Sequence, residues 1–504
     1  MSAQDAPPMS REGGTLEIWM AAAEVSPLAQ TGGLADVLRA LPAALVRQGH
    51  RVRVFLPAYG RVDRTRFSYS PAEDHLAVPL GIGRVPVRLL TRRGEDGVVT
   101  TLVQNEELFA REDFYGAPGG AYPDNARRFA LLARAVVALA ERAERPPDVL
   151  HGHDWHAALV PLFAWLAWPG RGRRPATVLT IHNMGYQGQF GAEDMDWITL
   201  DPTLREALFR FNGIEFRGGI NFLKAALQFA DRLTAVSPRY AWEITTREGG
   251  FGLHDAAWRR RDELTGILNG ADYEQWDPRR DPKIPVVYDA ASIERKEESR
   301  RALRAAFRLA EGSASGAPDR PLLGAVSRLV DQKGIDVLLE AAPALLRTGA
   351  DLVVLGAGES RIVDGLERLR RDHPDRVGLF IGFDEPLSHL IVAGSDLLLV
   401  PSRYEPCGLV QMHAMRYGTI PVVHRTGGLS DTVRDETAEP DRGTGFVFEG
   451  VHAGALAQAV HRALILRAES PARWRSLQQR AMAEEFSWDG SAARYLDVYR
   501  SALG

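Results

Sequence analysis

The segment Thr-Gly-Gly-Leu occurs twice, as Thr31-Gly32-Gly33-Leu34 and Thr426-Gly427-Gly428-Leu429, and this repeat most constrains how the chain can fold. Each copy follows a short apolar run, residues 16–22 in one case and 420–423 in the other. After the first copy, Leu34, Val37, Leu38, Leu41 and Leu45 recur at helical spacing, Pro42 predicts a kink, and Gly49 supplies a stop. Val52, Val54 and Leu56 then alternate as a strand. A strand, a glycine loop, a helix and a second strand begin a parallel doubly wound sheet, whose carboxyl edge is where ligands bind. A lone glycine pair is explained well enough as a tight turn. Two pairs in matching contexts favour ligand-facing loops on two sheets.

The strand–helix alternation runs out and restarts. Residues 148–150, 177–181 and 233–236 read as further strands before Leu268-Asn269-Gly270. Residues 277–285 are rich in proline and charge, residues 297–309 read as a helix, and residues 311–318 are a low-complexity, solvated loop. Strands are then predicted at 322–326, 352–355, 377–381, 397–400 and 420–423, with helices at 335–346 and 408–417. At 504 residues the chain is also too long for one core. The fold class is α/β, with two doubly wound, Rossmann-like parallel-sheet domains. The expected division is a disordered tail at 1–14, an N-terminal domain at 15–272, a C-terminal domain at 273–484, and a final helix at 485–504 that crosses back to the first domain.

Composition narrows the class of function. A net charge of −4 gives no basic footprint for nucleic acid or an anionic membrane. The longest apolar stretch, near residues 159–168, is too short to span a bilayer, and residues 1–14 lack an apolar signal core. One cysteine, Cys407, rules out an intrachain disulfide framework and fits a reducing, cytoplasmic setting. Of 61 basic residues only Lys224, Lys283, Lys296 and Lys333 are lysine, so each lysine marks a place where arginine does not serve.

Four segments carry chemistry. Arg328 and Lys333 lie five apart in a loop between a strand and a helix, so a guanidinium fork and an ammonium reach one diphosphate. In Pro401-Ser402-Arg403-Tyr404-Glu405-Pro406-Cys407-Gly408-Leu409, Pro406 holds Glu405 extended at a strand end, and amides around Gly408, at the positive end of a helix, can hold a phosphate oxygen. Cys407 is read there as a packing residue rather than a nucleophile. The cluster His151-Gly152-His153-Asp154-Trp155-His156 is dense in metal-ligand types, but no second carboxylate or cysteine group completes a set, and a polar loop beside a sugar is the plainer reading. His182-Asn183 ends another strand in residues suited to hydroxyl recognition, whereas Asp194-Met195-Asp196 is read as surface.

These segments, in this order, resemble the bacterial glycogen synthase and plant starch synthase family from about Leu16 to the C-terminus. The resemblance rests on residues 30–37, 153–156, 181–183, 268–272, Ser327-Arg328, Gln332-Lys333-Gly334 and 403–409. It implies a GT-B fold, two Rossmann-like domains facing a cleft that the final helix helps to close. It implies retaining transfer of glucose from ADP-glucose or UDP-glucose to the non-reducing end of an α-1,4-glucan such as glycogen. No metal or other cofactor is implied, since Arg328 and Lys333 can stabilise the leaving diphosphate. Glu405 would orient the donor sugar and steady an oxocarbenium-like transition state, and His182 would hold the glucose from the other side. No second carboxylate is placed for a covalent intermediate, which points to front-face substitution. Donor and acceptor contacts are expected from Gln30, Thr31, Gly32, Gly33, Asp36, Asp154, Asn183, Asn269, Phe383, Tyr404, Cys407, Gly408, Leu409, Thr426, Gly427 and Gly428. Phe383 would lie against the base, and the second glycine loop, Thr426–Gly428 with Leu429, is expected to be the main donor-side loop.

The chain departs from the family at Gln30, where lysine is usual. Rival readings are another retaining transferase of this fold, an inactive glucan-binding protein, and a metal-dependent hydrolase built on residues 151–156. A glutamine in so arginine-rich a chain implies that a cation is dispensable there, with hydrogen bonding in its place. Gln30→Lys is expected to lower the Michaelis constant for ADP-glucose; an unchanged constant would sink this reading.

Overall fold

A computed structural model describes residues 14–117, 120–169, 174–210, 213–310 and 320–504, without the side chains of 72–74. The expected tail, apart from Gly14, and the loop 311–318 lie outside the described residues. The chain forms two compact units, one of Met1–Thr234, Gly250–Thr265 and Ala492–Gly504, the other of Ala235–Gly249 and Gly266–Ser491.

The first unit is built on a nine-stranded sheet in the order Leu264–Gly266, Arg232–Ala235, Ala176–Ile181, Val149–His153, Glu17–Ala21, Arg51–Pro57, Val99–Gln104, Gly83–Arg93, Ser70–Leu80. Glu17–Ala21 pairs in parallel with Arg51–Pro57 on one side and Val149–His153 on the other. The strand order therefore reverses between Glu17–Ala21 and Val149–His153, and the loops that follow these strands carry residues 22–32 and Asp154. The strands Val149–His153 and Ala176–Ile181 are buried along their whole length, as central parallel strands are. The sheet is mixed rather than purely parallel. Leu80 pairs with Gly83 across a tight hairpin in which Gly81 has φ +60°, so Ser70–Leu80 and Gly83–Arg93 run antiparallel. A two-residue connection leaves no room for the crossover that parallel pairing needs. The helix Asn125–Arg142 covers the sheet, with most of its length buried.

The second unit holds a six-stranded parallel sheet in the order Val377–Ile381, Asp351–Gly356, Leu322–Val326, Leu397–Val400, Ile420–His424, Phe446–Phe448. Counted along the chain this is the doubly wound order 3-2-1-4-5-6. Its switch point falls between Leu322–Val326 and Leu397–Val400. The loops leaving those two strands are the ones that carry Arg328 with Lys333 and Glu405 with Gly408.

The units do not divide at a single cut after residue 272. Ala235–Gly249 belongs with the second unit because Ser237 Oγ donates to Pro406 O at 2.8 Å and Arg239 N donates to Asp431 Oδ2 at 2.8 Å. Residues 277–285, rich in proline and charge, are part of the second unit's packing. Asp281 Oδ2, buried, accepts from Tyr417 OH at 2.6 Å and lies 2.7 Å from His389 Nδ1. The final helix, Trp488–Leu503, ends within the first unit, where Tyr499 OH lies 2.8 Å from His151 Nδ1 and Arg232 Nη2 donates to Ser501 O at 2.8 Å.

Asp277 supplies a test of this packing. Burial alone would raise its pKa, but hydrogen bonds from Arg279 and Arg416 outweigh burial and bring it down to about 2. A carboxylate so depressed contributes stability above its ordinary pKa near 3.8 and loses that contribution as pH falls toward 2. Asp277→Asn is expected to cost about 1–2 kcal/mol at pH 7 by urea unfolding, discounted for solvent screening. The gap to the parent should narrow as pH falls toward 2, and a gap independent of pH would contradict the assignment.

Candidate active site

At the switch point of the second unit the two loops are tied together. After Leu322–Val326 the chain turns through the short 3₁₀ segment Asp331–Lys333 to Gly334. Gly334 has φ +65°, and a Cβ there would lie 2.0 Å from Pro401 O, so only glycine lets the first loop pack on the second. Lys333 Nζ donates to Glu405 Oε2 at 2.5 Å, and Ser402 Oγ donates to the same oxygen at 2.9 Å. Arg403 forks onto Asp336 at 2.8 and 2.6 Å and pins the second loop from behind. Arg328 is exposed, with Nη2 donating to Gln332 Oε1 at 3.1 Å. Lys333 and Glu405, singled out separately in the sequence, thus form one buried-edge ion pair with a guanidinium at hand.

The next turn offers amides. Gly408 has φ +73°, and Gln411 Nε2 donates to the carbonyls of Cys407 at 3.2 Å and Gly408 at 2.9 Å. In a trans peptide the N–H points away from its C=O, so the amides of Gly408 and Leu409 are turned the other way. Among the described residues neither amide has a protein acceptor. Cys407 is buried, and burial pushes its thiol up to about 12, which suits packing and not nucleophilic chemistry. Gln332 Nε2 reaches Tyr404 O at 3.3 Å, so Tyr404 takes part through its backbone in joining the two loops. Phe383 follows the strand Val377–Ile381 with 84% of its surface exposed, and Asn269 is buried with an Oδ1 that has no partner among the described residues.

The two glycine loops differ in their surroundings. Thr426, Gly427 and Gly428 are buried, and their amides are already used. Gly427 N donates to Glu243 Oε1 at 3.0 Å, and Gly428 N donates to Glu405 O at 3.0 Å. A Cβ on Gly427 would stand 2.0 Å from Glu405 O and one on Gly428 2.2 Å from Cys407 O. The second loop is close-packed behind Glu405, with its amides taken by the Glu243 carboxylate and the backbone it abuts. The first loop is the open one. Gln30, Thr31, Gly32 and Gly33 are exposed, and a Cβ on either glycine would meet nothing within 4 Å. Gln30 Nε2 donates to Asp36 Oδ1 at 3.1 Å. Thr31 N and Oγ1 donate to Glu24 at 2.6 Å each, and Tyr115 OH donates to Glu24 Oε1 at 2.6 Å. Sequence reading passed over Glu24; its signal was a carboxylate directly after an apolar strand, seven residues before the loop it shapes.

The histidine side of the first unit's switch point is buried. Asp154 has φ +55°, and its Oδ1 accepts from the amides of His182 at 2.7 Å and Asn183 at 3.2 Å. Burial nevertheless pushes its carboxyl up to about 7. Asn183 Oδ1 accepts from Gly185 N at 2.9 Å, so this side chain shapes its own turn. His151 bridges Tyr499 and Thr180, at 2.8 and 2.7 Å, and His153 Nδ1 lies 3.0 Å from His182 Nε2. Burial drives His151 and His182 down to about 3, and His153 and His156 well below their ordinary range. Trp155 stacks on His156 with ring centres 4.0 Å apart. Among the described residues no three His, Cys, Asp or Glu side chains are grouped to hold a metal. Asp194 accepts from Trp197 Nε1 at 3.1 Å and Asp196 pairs with Arg205, so both have structural partners. Among the described residues no helix is long and apolar enough to cross a membrane.

Two doubly wound units, with charged and amide groups gathered at their switch points, define a glycosyltransferase of the GT-B class, and comparison with known proteins agrees. Residues 17–258 match the family described as starch synthase catalytic domain, and residues 312–480 match glycosyl transferases group 1. Glycogen synthase 2 of Geobacter sulfurreducens is 42% identical over 489 residues, which cover 97% of this chain and 99% of that one. Glycogen synthase 1 of Methylococcus capsulatus is 42% identical over 500 residues, 97% of each chain. The solved catalytic domain of starch synthase IV from Arabidopsis thaliana, bound to ADP and acarbose, superposes with a TM-score of 0.87 at 33% identity, covering 97% of this chain and 100% of that one. The chain belongs to the glycogen and starch synthase family.

Asp154 gives this site a pH signature. A carboxyl raised from 3.8 to about 7 in the folded state contributes stability below pH 4 and loses it as pH rises to 7. Asp154→Asn keeps an acceptor oxygen for the two amides and suits the left-handed backbone. It should therefore gain on the parent by about 2–4 kcal/mol between pH 4 and pH 8 in urea unfolding. A difference that stays constant over that range would refute the buried neutral carboxyl.

Proposed function

We propose that this enzyme is a glycogen synthase that transfers glucose from ADP-glucose, with retention, to the non-reducing end of an α-1,4-glucan. The observation that carries the reading is the 2.5 Å contact between Lys333 and Glu405 at the switch point of the second unit, flanked by Arg328 and the free amides of Gly408 and Leu409. An ammonium, a guanidinium and two amides match the oxygens of a diphosphate, and exposed Phe383 offers a face for a planar base. ADP rather than UDP is favoured because the starch synthase at 33% identity was solved with ADP. The names of the 42%-identical relatives support glycogen as product.

In this reading the second unit grips the nucleoside diphosphate and the first addresses sugar hydroxyls through His182, with Asp154 shaping its loop. As the bond from the anomeric carbon to the diphosphate breaks, its electron pair passes to the phosphate oxygen. Lys333, Arg328 and the amides stabilise the charge that develops there. Glu405 faces the sugar with a carboxylate that the ammonium holds in place, and it steadies the oxocarbenium character of the transition state. The acceptor hydroxyl attacks the same face and passes its proton to the departing phosphate oxygen. No resident metal is required, since Lys333 and Arg328 supply the positive charge.

Initial rates with ADP-glucose and UDP-glucose on a glycogen primer, counting label in acid-precipitable polymer, test the substrate assignment. Lys333→Met should lower kcat/KM by about 10²–10³-fold, the range for losing one donor to a developing anion. Lys333→Arg should recover only part of this, because a bulkier planar guanidinium does not put its charge where the compact ammonium sits. Full activity in Lys333→Met would reject the assignment.

A further inference from the structure

His153 and His182 end neighbouring parallel strands of the first unit, and their rings meet edge to edge, Nδ1 of His153 lying 3.0 Å from Nε2 of His182. The surroundings keep every ring in this group uncharged. His151 lies over His153 with ring centres 4.0 Å apart and has both nitrogens engaged, one with Tyr499 OH and the other with Thr180 Oγ1. Burial, with no carboxylate partner on either ring, holds His153 and His182 below the range in which imidazole is protonated. A neutral imidazole carries one N–H, so the two facing nitrogens share a single proton and one ring donates to the other.

The direction of that bond is decided at the far side of His153. Its Nε2 is buried and has no partner among the described residues. If His182 donated, His153 would have to carry its proton on Nε2, leaving a buried N–H with no protein acceptor among the described residues. If His153 donates from Nδ1, Nε2 holds only a lone pair. Orphaned buried donors are rarer than under-satisfied acceptors, because the desolvated N–H has no second way to be satisfied. His182 Nε2 must then be the acceptor, and the proton of His182 sits on Nδ1. His182 Nδ1 has no protein partner among the described residues and is not among the fully enclosed polar atoms, so it is free to meet a ligand.

We propose that His153 is a positioning residue that sets the tautomer of His182, so that His182 presents an Nδ1–H donor to a sugar oxygen. The inference rests on the reading of His182 as a sugar contact, and goes beyond it by fixing which atom donates and what holds it so. Donation rather than acceptance suits a hydroxyl that is itself donating to a carboxylate, and it explains why a second histidine lies directly behind the first.

The test separates the tautomer from the sugar contact. The full-length enzyme, labelled with ¹⁵N-histidine, is studied by long-range proton–nitrogen correlation, with the His182 signals identified by their loss in His182→Gln. The wild type should show His182 protonated on Nδ1 and unprotonated on Nε2; protonation on Nε2 would overturn the proposal without any variant being made. His153→Leu should shift His182 toward the other tautomer and lower kcat on the order of 10- to 100-fold while KM for ADP-glucose moves less than about threefold. His153→Asn, whose side-chain N–H₂ lies where Nδ1–H does, should restore both the tautomer and most of kcat. An unchanged tautomer in His153→Leu, or no rescue by asparagine in a folded protein, would overturn it. Should the tautomer be as expected while His182→Gln keeps full kcat, the sugar contact fails and the tautomer assignment stands.

Discussion

The contact between Lys333 and Glu405 organises the second unit. Its two partners come from loops leaving the strands on either side of the sheet's switch point, so one hydrogen bond joins the halves of the doubly wound fold at the place where a ligand would enter. Much of the surrounding sequence follows from keeping those loops close. Gly334 removes the side chain that would strike Pro401, and Gly427 and Gly428 remove those that would strike Glu405 and Cys407. Arg403 fastens the second loop to Asp336. The ion pair is confined enough that losing the ammonium would leave a largely desolvated carboxylate with only Ser402 beside it, an arrangement that costs far more than an exposed pair contributes.

The scarcity of lysine makes sense against the same geometry. Each of the four makes a point contact with an oxygen acceptor. Lys296 Nζ is buried against Thr419 Oγ1 and Ala393 O, Lys224 Nζ meets Glu215 O, and Lys283 Nζ pairs with Glu385 at 2.6 Å. A guanidinium needs a broad planar slot and cannot shed water from a single point, whereas an ammonium fits a spherical niche. In a chain that otherwise uses arginine throughout, lysine remains where the cavity is round and close. That argument also bears on Gln30. Its niche is open and exposed, so a cation at that position would have no such confinement to require lysine.

The parallel frame was legible because buried strands leave continuous apolar runs, and those at 322–326, 377–381 and 397–400 match the folded elements. The hairpin of Ser70–Leu80 with Gly83–Arg93 was not, since its half-exposed alternation is a weaker signal than a core strand. The location of the charged groups was legible for Lys333 and Glu405, whose types and loop positions announce a polar site. The roles of the glycine loops were not. Identical tetrapeptides say nothing about which neighbouring backbone takes the amides, and that was settled by Glu243 and the carbonyls of Glu405 and Pro406, residues remote in sequence or silent in pattern. The separate membership of Ala235–Gly249 was hidden for the same reason, as Ser237 and Arg239 make contacts that no local periodicity encodes.

The proton economy of the proposed reaction follows from these environments taken together. Transfer to a hydroxyl releases a proton, and a base must take it. The four histidines at residues 151, 153, 156 and 182 are neutral, but three of them are committed to hydrogen bonds or ring stacking, and His182 has its Nε2 turned toward His153. Asp154 accepts from two backbone amides, and burial keeps its carboxyl poor at holding charge. Glu405 Oε2 already accepts from an ammonium and a hydroxyl. The group that gains basicity as the reaction proceeds is the departing phosphate oxygen itself. With these groups engaged, the proposed reaction is one in which the leaving group takes the acceptor's proton on the face it has just vacated, as the proposed retention requires.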